Sequence, residues 1–411
     1  MAEKLRIGVV ARRWRQDPSG SYARNVLNRL PDAEYVPVGD LFSSLVALNM
    51  RANALFHRLT GRSWLSHFNL NNQFYRLRAP AVDVLHLFNG VSYNTVPWVT
   101  SFETAVPRFT EVMEGLKRQK PQFSPLQKWR FELAARAMAS ESCLAIIPIS
   151  ENAARAQRLV LGWMPPKYAT AIAAKITVLH PPQAPIIKSF AEKEALPLRP
   201  LHFMFVGHDF FRKGGLEMLK AFIQVRKHSQ IPIRLTIVSA LRTRDYATRA
   251  GEKELAETRR LISANSEWIT HYPSLPHAEV LALMKQAHVG LLPTYADSYG
   301  YAVLEFQAAG CPVITTEMGA LAEVNSEERG WLIKVPRDHI GRAPYYTPEG
   351  RAAISKAIRN GVAAAIDEIL QSPETVKQKG KAALDYIRQN HDPVEHANTL
   401  REIYAQRVNV R

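Results

Sequence analysis

Short, uninterrupted apolar runs alternate along this chain with longer stretches whose apolar residues recur every three or four positions. In the first half the runs are RIGVV (6–10), YVPV (35–38), VDVLHLF (82–88), PWVTSF (97–102), LAIIPIS (144–150) and KITVLH (175–180). Helical spacing falls between them, over 21–30, 126–140 and 151–162. The second half repeats the alternation with FMFVG (203–207), IRLTIVS (233–239), EWITHY (267–272), VGLLPT (289–294), PVITT (312–316) and GWLIKV (330–335). Continuous β-branched runs of this length predict strands buried on both faces, and their alternation with helices predicts parallel sheets covered by helices. A chain of 411 residues exceeds what one core organises, so two domains are expected. Pro181, Pro182, Pro185, Pro197 and Pro200 punctuate the passage between the halves. The boundaries expected are 1–185 for the first domain, 186–200 for a linker, 201–390 for the second domain and 391–411 for a terminal segment.

Chemistry-bearing residues gather where strands give way to helices in the second half. After VGLLPT comes YADSYGYAVLEFQAAGCPVITT, in which Gly300 opens a helix and Gly310 with Pro312 closes it. Asp297 then stands in the loop at the carboxyl end of a strand, and Glu305 just over one turn into the following helix. Open α/β sheets bind ligands at that place, with helix N-terminal amides turned toward an anion. Upstream, HFMFVGHDFFRKGGLEMLKAF (202–222) is a strand, a loop with Arg212 and Lys213, a Gly-Gly turn and a helix. No Gly-Lys-Ser/Thr follows, so this is not a nucleoside-triphosphatase loop.

These two segments together resemble the donor site of the retaining GT-B glycosyltransferases of family 4. That family carries two acids with a Gly-aromatic-Gly run between them, followed by a Gly-x-Pro-Val-Ile strand. Here the acids are Asp297 and Glu305 and the run is Ser298-Tyr299-Gly300. The resemblance implies a GT-B fold, two Rossmann-like doubly wound α/β domains facing a central cleft, with the last helix crossing back to the N-terminal domain. It implies that Glu305 holds the ribose of a nucleotide-diphosphate sugar and that Asp297 contacts the transferred sugar. The backbone of Gly300, Tyr301, Ala302 and Val303 would cradle the diphosphate. Lys213 matches the family's lysine, beside Gly207. His208 stands where an arginine is usual and offers no lasting charge, so Arg212 is expected to supply it. Transfer would proceed with retention and without a bound metal, the donor being a substrate and no cofactor being required. An epimerase or phosphorylase on the same fold, or a non-catalytic nucleotide-sugar-binding protein, is the alternative.

The N-terminal half adds weaker candidates. Gly20 and Ser21 occupy a turn before a helix, where family members bring a Gly-rich loop toward the donor; a capped surface turn is the plain alternative. Glu103 ends a strand where many members carry a histidine. It is a candidate for the catalytic group that handles the acceptor proton, or else an ion-pair partner of Arg108. His86 reads as a packed strand residue. Ser150 in ISEN is as well explained by a helix cap as by the resemblance.

Charge changes one part of this picture. Lys and Arg total 53 against 37 Asp and Glu, a net +16, and residues 41–80 hold five arginines and no acid. Basic residues interleaved with Leu, Phe and Trp predict peripheral contact with an anionic membrane, a pocket for a phosphate-bearing acceptor, or an amphipathic helix with a solvated basic face. The acceptor expected is a glycan or a lipid-linked sugar of the cell envelope. Nucleic acid is not expected, since no RNA-binding, zinc or helix-turn-helix motif accompanies the charge. No run approaches the ~18 apolar residues that span a bilayer, and RIGVV reads as a strand and not a signal peptide, so a cytoplasmic protein, at the inner face of the membrane when attached, is expected. Cys143 and Cys311 lie in apolar surroundings and predict neither a disulfide nor a metal site.

Overall fold

A computed structural model describes residues 4–10, 30–60, 70, 72–229 and 231–406. The chain divides into two compact units, the first made of Met1–Pro182 and Pro393–Arg411 and the second of Gln183–Asp392.

In unit 1 the strands are β1 (Leu5–Val10), β2 (Ala33–Val38), β3 (Gln73–Phe74), β4 (Val84–Phe88), β5 (Val91–Ser92), β6 (Trp98–Phe102) and β7 (Cys143–Pro148). Five of them form one sheet in the order β2-β1-β4-β6-β7, all parallel, and β3 pairs with β5. Every residue of β4, β6 and β7 is buried, as the unbroken apolar runs require. The returning helix Pro393–Ala405 completes this core: Ala397, Leu400, Ile403 and Tyr404 pack with Ile7, Val84, Val99 and Ile147. His86 in β4 is a packed residue with both ring nitrogens engaged, Nδ1 at 2.6 Å from the Tyr404 hydroxyl and Nε2 at 2.7 Å from Ser101 Oγ. Its burial pushes the imidazole pKa down to about 3. Helix Leu41–Thr60 holds Val46 in the interior.

One expected strand is absent as such. KITVLH runs beside β7, with Thr177 and Leu179 donating to Ile146 and Pro148, but the pairing reduces to a single bridge at Ile176. The apolar run supplied the pattern, while a ladder needs neighbours for longer than this segment stays alongside.

Unit 2 has β8 (Leu201–Asp209), β9 (Ile233–Ala240), β10 (Ile269–Tyr272), β11 (Val289–Leu292), β12 (Val313–Thr316) and β13 (Gly330–Ile333). They form one parallel sheet in the order β10-β9-β8-β11-β12-β13. The chain runs outward from β8 through β9 to β10, then returns to the other side of β8 to place β11. The order therefore reverses between β8 and β11, which creates a crevice at their carboxyl ends. Residues 186–200, expected as a linker, contain the short helix Ala191–Glu194 packed within unit 2. Phe190 and Ile187 contact Leu384, and buried Lys193 donates to the carbonyls of Met284 and Lys285 at 2.9 and 2.8 Å. Prolines mark irregular backbone, and here apolar anchors among them tie that backbone down.

Candidate functional site

The loops that leave β8 and β11 meet at the reversal point. After β8, Phe210 and Phe211 are buried and anchor the loop, and Arg212 and Lys213 follow, both half-buried. Gly214 follows with φ +76°, and a Cβ there would lie 1.9 Å from the Pro293 carbonyl oxygen, so only glycine lets the two loops touch. Helix Gly215–Arg226 starts at once beyond it. Gly207 serves the lysine in another way, since a Cβ on it would sit 2.9 Å from Lys213 Cγ.

The two basic residues have separate partners. Lys213 donates through Nζ to Asp297, linking the β8 loop to the β11 loop with both side chains largely shielded. Arg212 donates to Asp209 Oδ2 through Nε at 3.0 Å and to the Ala296 carbonyl through Nη1 at 2.8 Å. Burial pushes the Asp297 carboxyl upward, but Lys213, Arg212 and the Tyr299 N–H outweigh it and leave the group below its ordinary range. Asp209 is likewise lowered, with burial opposed by the Arg212 guanidinium. The surplus positive charge read from Arg212 and Lys213 is thus matched by two carboxylates, and Arg212 is a brace between loops. His208 is exposed at the end of β8.

Beneath this layer, a half-buried carboxylate ties three segments together. Glu217 accepts from the Tyr295 hydroxyl at 2.7 Å and from Ser355 Oγ at 3.0 Å. Burial raises its pKa and these two hydrogen bonds oppose the rise. Tyr295 lies two residues before Asp297, and its N–H donates to the Arg212 carbonyl at 2.9 Å. The base of the two loops is therefore tied to helix Gly215–Arg226 and to Ser355.

The third side of the site is the helix Tyr301–Ala308. Its N-cap is Gly300 at φ +90°, where a Cβ would strike Leu321 at 2.4 Å. First-turn amides of such a helix present partial positive charge toward the loop before it. Of the expected cradle of Gly300, Tyr301, Ala302 and Val303, the Val303 N–H is engaged within the turn, donating to the Gly300 carbonyl at 2.8 Å. Glu305 projects from the same helix and meets His277 Nε2 at 2.9 Å, the histidine opening helix His277–Gln286.

Unit 2 thus brings Lys213 and Asp297 into contact, with Gly300 and Glu305 on the helix that follows, where Glu305 meets His277. Glu103, in unit 1, lies 3.9 Å from Arg108 with both side chains about one quarter exposed, the ion pair weighed from the sequence, and its N–H donates to Asn89 Oδ1 at 3.2 Å. Gly20 and Ser21 lie outside the described residues. Ser150 caps helix Glu151–Leu161 by accepting from the Ala153 N–H. Cys143 and Cys311 are both free and buried. Reading the sequence missed Asp209, Glu217 and His277. Asp209 had a local signal, its spacing of three from Arg212; His277 had none, because only folding brings it to Glu305.

Residues 187–342 match the family described as Glycosyl transferases group 1. A D-inositol 3-phosphate glycosyltransferase of Arthrobacter sp. is 30% identical over 141 residues, 34% of this chain and 31% of that protein. A glycogen synthase of Mycobacterium tuberculosis is 24% identical over 205 residues, 50% of this chain and 42% of that protein. The matched stretch thus spans less than half the length of either relative. Among solved structures, a trehalose-6-phosphate protein from E. coli bound with UDP-2-fluoro glucose has a TM-score of 0.61 at 13% identity, covering 97% of this chain and 99% of that one. A sucrose-phosphate synthase from Thermosynechococcus elongatus has a TM-score of 0.57 at 14% identity over 99% of this chain and 100% of that one. The fold is GT-B.

Proposed function

We propose that this chain, a GT-B protein with a glycosyl transferases group 1 domain in its second unit, is a retaining glycosyltransferase that uses a nucleotide-diphosphate sugar. The observation that carries this reading is the meeting of Lys213, Asp297 and the Gly300 helix start at the reversal point between β8 and β11. A departing nucleoside diphosphate develops negative charge on its phosphate oxygens. The lysine and the first-turn amides are fixed in advance toward that charge, and such preorganised groups lower the barrier without reorganising. Asp297 holds the lysine in place before the donor arrives, and once there contacts hydroxyls of the transferred sugar. Glu305 accepts hydrogen bonds from the ribose.

The leaving phosphate takes the acceptor's proton, so a separate base is not required; Glu103 is the residue to test for that task. The acceptor is a glycan or a lipid-linked hydroxyl, consistent with the acid-free basic segment 41–80 of unit 1. Turnover is expected to persist in the presence of a chelator, since cationic side chains and helix amides supply the charge stabilisation.

The test is thermal unfolding against a panel of sugar nucleotides, beginning with UDP and UDP-glucose. A donor at about 100 times its dissociation constant adds about 2.7 kcal/mol of stability. The stabilising donor is then incubated with hydroxyl acceptors, with nucleoside diphosphate release and the anomeric configuration of the product as readouts. Conversion of the donor without acceptor would indicate an epimerase, and binding without turnover a non-catalytic protein. If no sugar nucleotide stabilises the chain, the reading fails. Glu305→Ala should weaken donor binding roughly 10- to 150-fold, the loss of charge-assisted hydrogen bonds worth about 1.5–3 kcal/mol, with the fold intact.

A further inference from the structure

Helix Leu41–Thr60 turns an apolar edge to solvent. Leu41, Leu45, Leu48, Leu55 and Leu59 are 42 to 76% exposed. With Ala52, also exposed, they follow a strict 4-3-4-3-4 spacing, which at 3.6 residues per turn confines them to an arc of about 80°. A globular protein ordinarily buries such a stripe, and a contiguous apolar surface of this kind marks a partner. The helix has no acid in its first turn or anywhere along it.

The loop at the start of the stripe extends it. Leu77 is 84% exposed, between Arg76 and exposed Arg78. This loop is held in place: Asn94 accepts from the Arg76 N–H at 2.9 Å and donates to the Arg76 carbonyl at 2.8 Å. A cavity of about 440 Å³ opens there, lined by Gly39, Asp40, Leu41, Arg76, Leu77 and Arg78. Among the described residues no ion pair involves Arg51, Arg76 or Arg78.

We propose that this surface of unit 1, the leucine stripe with Leu77, Arg51, Arg76 and Arg78, docks on a bilayer of anionic phospholipid. The leucines enter the acyl boundary while the arginines meet headgroup phosphates, with the helix lying in the plane of the interface. No described helix is long and apolar enough to cross a membrane, so the helix lies on the bilayer and does not span it. Charge selects this occupant over a second copy of the chain. A paired helix of leucines at this spacing calls for opposite charges beside the seam, whereas the helix carries no acid to meet the exposed Arg51 of a second copy. A phosphate surface satisfies leucines and arginines together.

The inference does not depend on sugar transfer, and its test uses no donor. Full-length protein is sedimented with vesicles of phosphatidylcholine alone or mixed with phosphatidylglycerol, over a range of salt. Wild type should pellet with the phosphatidylglycerol vesicles only, and less as salt rises. Leu48→Ser/Leu55→Ser should lower partitioning by about tenfold or more, because two inserted side chains are lost. These positions are exposed, so thermal unfolding should be unchanged. Leu77→Ser, on the pinned loop, gives an independent check outside the helix. Arg76→Gln/Arg78→Gln should reduce the preference for anionic vesicles by about thirtyfold, near 1 kcal/mol per arginine. Equal pelleting by the leucine variants, equal pelleting with both lipids, or no pelleting of wild type overturns the proposal. So does a leucine variant that turns a dimer into a monomer while vesicle binding stays the same.

Discussion

The carboxyl ends of the two sheets make an instructive pair. Both units are parallel α/β sheets, yet unit 2 crowds four charged side chains into the β8 and β11 loops, cations and carboxylates matched one to one. At the corresponding edge of unit 1, Glu103 and Arg108 stand 3.9 Å apart and partly in water. Pairs with well-formed hydrogen bonds fix their members in place, whereas a partly exposed pair 3.9 Å apart contributes little. On the proposed function, the first arrangement serves the donor's diphosphate and the second belongs to the side that would receive the acceptor. Shared topology provides the place for a site, and the two edges differ in how closely their charges are paired.

The largest expected effect comes from breaking the paired side. Lys213→Ala should reduce kcat about 100- to 1000-fold, the scale for losing one preorganised charge-stabilising group, while the affinity for free nucleoside changes little. Thermal unfolding of the variant separates a catalytic loss from a folding defect. An equal loss of nucleoside affinity would assign Lys213 to ground-state binding.

Acid should affect both units, each through its own histidines. Burial lowers His86 of unit 1 to about 3, and lowers His202 and His288 of unit 2 to about 4. The unfolded chain then binds more protons than the folded one below the ordinary histidine value, so stability is full at neutral pH and falls as pH drops through that window. Each such histidine accounts for at most about 1.4 kcal/mol per pH unit. Urea unfolding at pH 7, 6 and 5 should show this slope, and His86→Gln should flatten it for unit 1 alone. A slope unchanged in His86→Gln would mean that His86 is not the group responding there.

The smallest effect is expected at Glu103. Glu103→Gln should lower kcat less than tenfold, below the range of about 100- to 10,000-fold for loss of a general base. A larger loss, with the acid limb of the pH–rate profile removed, would make Glu103 the base and close the gap between the two edges.

Much of unit 2 was legible because its signals are local. VGLLPT and PVITT are too apolar to be anything but buried strands, and Gly300 and Gly214 sit where backbone geometry admits no side chain. The contact between Lys213 and Asp297 follows once their strands are neighbours. The Glu305–His277 contact and the Glu217–Tyr295–Ser355 network had no such route, since they depend on which helices pack together. Residues 41–80 were legible as basic and apolar, but periodicity identifies a face without saying what lies against it. Only the fold shows that the leucines of helix Leu41–Thr60 point away from the core.

The return of helix Pro393–Ala405 to unit 1 has a consequence for biosynthesis. On the ribosome, β1 to β7 emerge early but lack Leu400, Ile403 and Tyr404, which complete their core. His86 must wait for the Tyr404 hydroxyl until all of unit 2 has been translated. The later-made unit is therefore the first that can finish folding, and the earlier one remains open, its apolar sheet face available to chaperones, until the returning helix has been made.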